Sequence, residues 1–185
     1  MAHKLITATK FRIEGVRASY AHLFEKSAYP GAEPKFSVSA IFSKEDKEAL
    51  KVIEEAIKNA KARGIEVYGE KYTKADPTKE YNPLHDGDVE REEDEAYENS
   101  FFINASNKDD IKVLAADGSK AEPSEVYSGC YGTLVANAFP YYTSPKGWGV
   151  SIKLLGFKKT ADGDALGGAR ATASDFGDDE EAFLD

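Results

Sequence analysis

Apolar residues recur convincingly at helical spacing only once in this chain, at Leu50, Ile53, Ile57 and Ala60. Ser43 opens that helix as an N-cap, Asp46 stands in the capping-box position, and Gly64 supplies a stop. Around this one helix the pattern has period two, as strands require. KLITATKFRI (4–13) alternates, Gly15 breaks it, and VRASYAHLF (16–24) resumes an extended, aromatic-rich run. KFSVSAIF (35–42), IEVYG (65–69), SFFINAS (100–106) and IKVLA (111–115) read as strands, as do GCYGTLVANAFPYY (129–142) and WGVSIKLLGFKK (148–159). One helix among six to eight short strands is a mainly β, α+β arrangement, and such strands close most economically into a small antiparallel barrel.

The charge is unevenly spread. The chain carries a net −9, yet residues 86–98 contribute −7, with Arg91 their single cation, and residues 175–185 contribute −6. With both set aside, the rest of the chain is +4, which is compatible with holding phosphate. Residues 175–185 pack six carboxylates without a basic residue and place Phe183 and Leu184 near the end. Like charge that dense is expected to stay solvated and disordered. Asp178, Asp179, Glu180, Glu181, Phe183 and Leu184 would suit docking into a basic-rimmed pocket on a partner, or competition for the protein's own basic groove. A solubilising tail is the plainer alternative. Residues 70–99, punctuated by Pro77 and Pro83 and ending in the acidic run, read as a long insertion loop. Residues 161–174, rich in Gly and Ala, read as a flexible linker.

Catalysis finds little support. The sequence lacks a nucleophile elbow, a phosphate loop, a dinucleotide fingerprint and a paired-histidine zinc motif. Three scattered histidines without cysteine partners argue against zinc, and the carboxylates of 86–98 read as a solvated face, so no cofactor or metal is expected. Lone Cys130 cannot form an intramolecular disulfide, and no apolar run spans a bilayer; a cytoplasmic protein is expected.

The aromatic residues carry more information. Many of the ten Tyr and ten Phe, and Trp148, lie beside cations: Phe11 between Lys10 and Arg12, Tyr20 and Phe24 after Arg17, Phe36 after Lys35, Tyr141 and Tyr142 before Lys146 and Trp148. Unpaired bases stack on flat rings while cations track the phosphates, and an OB-type barrel presents both on one face. Phe11, Phe36, Phe102 and Phe157 suit the barrel interior instead. Tyr20, Phe24, Tyr29, Tyr141, Tyr142 and Trp148 sit at strand ends or in Pro/Gly loops, where surface placement is as expected as burial.

The stretch VRASYAHLFEKSAYPGAEPKFSVSAIFSKED (16–46) resembles the opening of bacteriophage single-stranded DNA-binding proteins with an OB-fold. VYSGCYGTLVANAFPYY (126–142) and KGWGVSIKLLGFKK (146–159) are similar to their closing strands. Its most specific parts are Arg17, Ser19, Tyr20, Leu23 and Phe24, with the Gly129–Tyr131–Gly132 turn. The resemblance does not extend to the acidic loop 86–98, which is not matched to that pattern. The resemblance implies an OB-fold-like barrel domain over 1–160, and non-catalytic, sequence-tolerant binding of single-stranded DNA in phage replication or recombination. Arg12, Arg17, Lys35, Lys146 and Lys153 would meet phosphates; Tyr20, Phe24, Tyr141, Tyr142 and Trp148 would stack bases. The acidic tail would recruit replication or recombination proteins, and exposed barrel edges are compatible with a homodimer. A structural or assembly module without nucleic-acid affinity is the main alternative; an RNA-binding barrel is a nearer one and a magnesium nuclease a remote one.

Overall fold

The computed structural model describes residues 3–143 and 147–166. Its long strands are β2 (Lys10–Ser27), β3 (Lys35–Ser43), β6 (Ser100–Asn107), β8 (Tyr131–Thr143) and β9 (Gly147–Ala161), with β1 (Lys4–Leu5), β4 (Glu80–Tyr81), β5 (Leu84–Asp86) and β7 (Lys112–Leu114) as short additions. Among the described residues the α-helices are α1 (Lys47–Tyr68), α2 (Glu70–Thr73) and α3 (Gly87–Glu90). The antiparallel ladders run β9–β8–β2–β3–β6, and parallel pairing of Ala105 with Ile152 and Ser106 with Lys153 joins β6 back to β9. Numbered along the chain, the barrel strands follow the order 1-2-3-5-4-1. A closed five-stranded barrel is the OB-type architecture expected from the sequence pattern.

The barrel interior is filled by Phe11, Ile13, Val16, Ala18, Val38, Ala40, Ile103, Leu134, Ile152, Leu154 and Phe157. Alternation then fixes which residues face out. The two bends of β2 occur at its register breaks. Gly15, at φ +72°, lies between the Ile13 and Val16 pairings with β8; Tyr20, at φ +47°, lies between the Ser19 and His22 pairings with β3. The strand therefore runs through Gly15 as a bulge instead of ending there, and its halves pair with β8 and with β3.

The helix starts later and ends later than its sequence pattern suggests. Asp46, not Ser43, is the N-cap: its carboxylate accepts from the Ala49 N–H at 3.0 Å, and His3 holds it from the other side at 2.9 Å. Gly64 is not a stop. A Cβ there would lie 2.5 Å from the Tyr72 ring and 2.9 Å from Pro140, so this glycine lets helix, ring and β8 meet closely. Residues 65–68, expected as the start of a strand, continue α1, which ends at Gly69 (φ +63°). Ala49, Ile53, Ala56, Ile57 and Ala60 of the helix join the barrel core.

Past β9, residues 162–166 fold back over the body. Leu166 N–H donates to Ser128 (2.8 Å), Tyr127 Oη to Asp162 and to the Gly163 carbonyl (3.0 Å each), and Lys159 pairs with Asp162. Beneath this strap lies Cys130, buried, its thiol pushed up chiefly by desolvation.

Gly64→Val is expected to destabilise the fold by about 1–3 kcal/mol, because the buried Tyr72 ring cannot yield to the added atoms. Chemical denaturation monitored by circular dichroism checks this; unchanged stability would show that helix and ring can move apart.

Candidate nucleic-acid interface

The outward positions of β3 and β6 form a continuous face. Ser37, Ser39 and Ile41 on β3 stand opposite Ser106, Asn104 and Phe102 on β6, and Ser39 Oγ donates to Asn104 Oδ1. In OB barrels the face of the second and third strands, with the loops joining strands one to two and four to five, is where oligonucleotides bind. Here those loops are residues 28–34, where Tyr29 is 85% exposed, and the β8–β9 tip, whose residues 144–146 lie outside the described residues.

Half of this face is covered, and by the segment expected to be a mobile acidic loop. Residues 80–99 form β4, which pairs with β9, then β5, α3 and a further short helical turn, which dock on β3 and β6. Tyr97 is fully buried against Ile41 and Phe102, its hydroxyl donating to Ser19 Oγ at 2.8 Å. The Tyr97 ring meets Phe102 edge-on (4.9 Å), Phe102 stacks on His85 (4.9 Å), and His85 tilts against Tyr81 (5.5 Å). Lys44 bridges Asp86 and Asp88 at 2.7 Å, and this pairing, with the Asn99 N–H, holds the Asp88 carboxyl below its usual range. Periodicity is absent from this segment because isolated anchors, not a repeating stripe, hold it down.

The uncovered half is polar and bordered by cations. Asn104 is exposed and Ser37 and Ser106 are half-buried; Lys153 lies on β9 beside Ser106. Lys35 is exposed at the start of β3, and Lys26, exposed on β2, sits 5.5 Å from the centroid of the Phe36 ring. Tyr20 stands at the boundary of the two halves, 56% exposed, next to Ser19, which pairs with Ser39.

The other candidate residues are dispersed. Arg17 spends its guanidinium on two carbonyls, Gly129 (3.1 Å) and Asp164 (2.8 Å), and lies over Tyr131. It ties the strap to the barrel. Arg12 faces out of β2 opposite Lys4 and Val135, beside β1 and β8 and not on the β3–β6 face. Tyr142 and Trp148 pair across β8 and β9 and point toward the helices, where Tyr142 meets Tyr68 and Trp148 meets Tyr72 edge-on at 4.9 Å. Trp148 also donates to the Asp76 carbonyl at 2.7 Å. Tyr141 lies on the opposite side of the ladder, half-buried, its hydroxyl pushed up by desolvation. Phe24 lines a separate hollow of about 710 Å³ with Leu23, Val126, Tyr127 and Gly163. Of the phenylalanines assigned to the barrel, Phe11 and Phe157 fill it and Phe36 packs half-buried against it; Phe102 is buried outside it, under Tyr97. Lys146 and the tail residues Asp178, Asp179, Glu180, Glu181, Phe183 and Leu184 lie outside the described residues.

Sequence reasoning missed Tyr81, His85, Arg91 and Tyr97 as parts of this surface. One signal was present: a tyrosine inside a run of eight acids has little reason to remain in solvent. Among the described residues, no group of three or more His, Cys, Asp or Glu is placed to hold a metal ion, and no helix is long and apolar enough to cross a membrane.

An OB-type barrel with an exposed tyrosine and a cation-bordered polar strip on its second and third strands has the form of a single-strand-binding protein. Residues 9–184 match the family described as "Enterobacter phage Enc34, ssDNA-binding protein", and the chain belongs to that family. The family is one of binding, not of catalysis. The fold agrees with that of the single-stranded DNA-binding protein from bacteriophage Enc34 in complex with ssDNA (22% identity, 90% of this chain and 98% of that one, TM-score 0.75). A C-terminal truncation of the Enc34 protein gives 24% identity over 89% of this chain and 92% of that one, TM-score 0.75. Gp2.5, a single-stranded DNA-binding protein encoded by bacteriophage T7, is more distant: 16% identity, 93% of this chain and 94% of that one, TM-score 0.60. No curated protein matches the chain.

Two measurements follow, one on the covered half of the face and one on the packing of α2 against the β8–β9 hairpin. Tyr97→Phe removes the hydroxyl donated to Ser19 and is expected to cost about 1 kcal/mol in denaturant unfolding. A second concerns alkaline pH. Tyr72 is pushed up to about 12, first by burial and then by Glu80, Tyr68 and Tyr141, while an unfolded tyrosine ionises near 10. The unfolded chain therefore gives up this proton first, and the stabilising contribution, complete below about pH 10, falls away as pH rises toward 12. Stability curves across that window, compared with Tyr72→Phe, should show a shallower decline in the variant.

Proposed function

We propose that this protein binds single-stranded DNA without sequence preference or catalysis, along the outer face of β3 and β6, in phage replication and recombination. The observation that carries this reading is the coincidence on one barrel face of exposed Tyr20, the open strip Ser37–Asn104–Ser106, and the cations Lys35 and Lys153. Stacking supplies about 1–3 kcal/mol per base and the lysines neutralise phosphates. Family membership, and an Enc34 relative whose structure holds ssDNA, support the same reading. Of the stacking candidates, Tyr20 is the best placed; Tyr141 borders the face, and Tyr142 and Trp148 act through the packing of the β8–β9 hairpin. Arg17 serves the ligand indirectly, by holding the strap.

The acidic tail, residues 175–185, recruits replication or recombination proteins through Phe183, Leu184 and the carboxylates beside them, and competes with DNA for the lysines. The protein acts in the cytoplasm of the infected cell, with a homodimer compatible with its sheet edges.

Titration of a labelled oligo(dT) at several salt concentrations tests the reading against a matched duplex. Single-strand-selective affinity that falls steeply with salt is expected. Lys35→Gln or Lys153→Gln should each make the log K–log salt slope shallower by about 0.7. Deleting residues 175–185 should tighten binding. No affinity for the single strand at low salt would overturn the proposal.

A further inference from the structure

The ring array on the covered half of the face ends at Arg91. Its guanidinium lies 5.5 Å from the Tyr20 centroid, 5.8 Å from Tyr97 and 5.7 Å from Phe102, so three rings surround the one cation of residues 86–98. Two of these rings are buried and fixed; Tyr20 is the exposed one. Tyr20 also holds φ +47°, a conformation that costs a bulky residue free energy and persists only where its surroundings enforce it. The β-bulge turns this side chain outward, and the Arg91 guanidinium supports it from the acidic segment.

Glu90, Glu92, Glu93, Asp94 and Glu95 line, together with Tyr20 and Arg91, a hollow of about 670 Å³. Five carboxylates repel phosphate from this place, although Arg91 alone would attract it. A flat, uncharged ring faces no such penalty and finds a cation-backed aromatic surface. The nearest exposed cations on the same strands are Lys26 and Lys35; Lys35 stands four residues from Ser39 along β3, or about 13 Å. Charge therefore sorts the two parts of a nucleotide to different sides of Tyr20.

We propose that Arg91 is a positioning residue that holds Tyr20 as a base-stacking platform, and that the carboxylates around it admit the base while turning the phosphodiester chain toward Lys35. The inference rests on the single-strand-binding reading above.

The test compares the full-length protein with Tyr20→Ala, Arg91→Gln and the double variant. Each is titrated with labelled oligo(dT) and with an oligomer of equal length whose central positions are abasic, at several salt concentrations. Tyr20→Ala should weaken oligo(dT) binding roughly five- to hundredfold, the range for losing one stacked base. Arg91→Gln should weaken it at least fivefold, with no further loss in the double variant. Both losses should vanish on the abasic oligomer, and neither should change the salt slope. Arg91→Lys, which keeps the charge without the flat guanidinium, should restore little. A role limited to stabilising the acidic segment would weaken both oligomers alike and would overturn the proposal. So would a slope shallower by about 0.7 in Arg91→Gln, the signature of a phosphate ligand. Wild-type protein that binds oligo(dT) while Arg91→Gln binds equally well defeats this inference alone; wild-type protein that fails to bind at low salt removes the single-strand reading and this one with it.

Discussion

Two residue pairs, Ala105 with Ile152 and Ser106 with Lys153, turn an open sheet into a barrel. Without that parallel contact, β6 and β9 would present long unpaired edges, and the core residues of both would lose the opposite wall. Asn107 reinforces the seam by donating from its buried amide to the Leu154 carbonyl at 2.9 Å. Closure also brings Lys153 beside Ser106 and so adds a cation to the β3–β6 face. β4 and β7 extend β9 on either side of the seam, leaving little of that strand unpaired.

The second determining feature is the acidic segment folded onto that face. Placing eight carboxylates beside a cation-bordered strip looks counterproductive until their anchors are considered. Lys44 neutralises two of them, Asp94 caps the short turn that carries Tyr97, and Glu90 pairs with His85. The buried Tyr97 and Phe102 supply apolar contact that outweighs the repulsion among exposed, water-screened charges. The result is a face divided into a dry aromatic half and a wet cationic half, with Tyr20 on the border.

Much of the architecture was legible in the sequence. Period-two runs such as residues 35–42 and 148–159 became β3 and β9, and the Leu50–Ala60 stripe became the inner side of α1. The similarity of residues 16–46 and 126–159 to phage single-strand-binding proteins led to the family the chain belongs to. What failed to show was whatever depends on distant partners. Gly64 reads locally as a helix stop, yet its purpose is to admit Tyr72 from beyond the end of the helix. Gly15 reads as a break, but the ladder to β8 carries the strand across it. Arg17, three residues before Tyr20, reads as a phosphate ligand until the carbonyls of Gly129 and Asp164 claim it. The covered half of the face was invisible because Tyr97, Phe102 and Ser19 come from separate parts of the chain and meet only through the β2–β3–β6 ladders.

Cys130 gives this architecture a built-in clock. Its sulfur lies at the seam between the first half of β2 and the start of β8, beneath the strap, and desolvation keeps it protonated. A thiol in that state reacts with alkylating reagents only when the wall around it opens. Because Cys130 is the chain's one cysteine, each labelling event reports an excursion of the barrel, so the protein's breathing rate can be read by mass without introducing a probe.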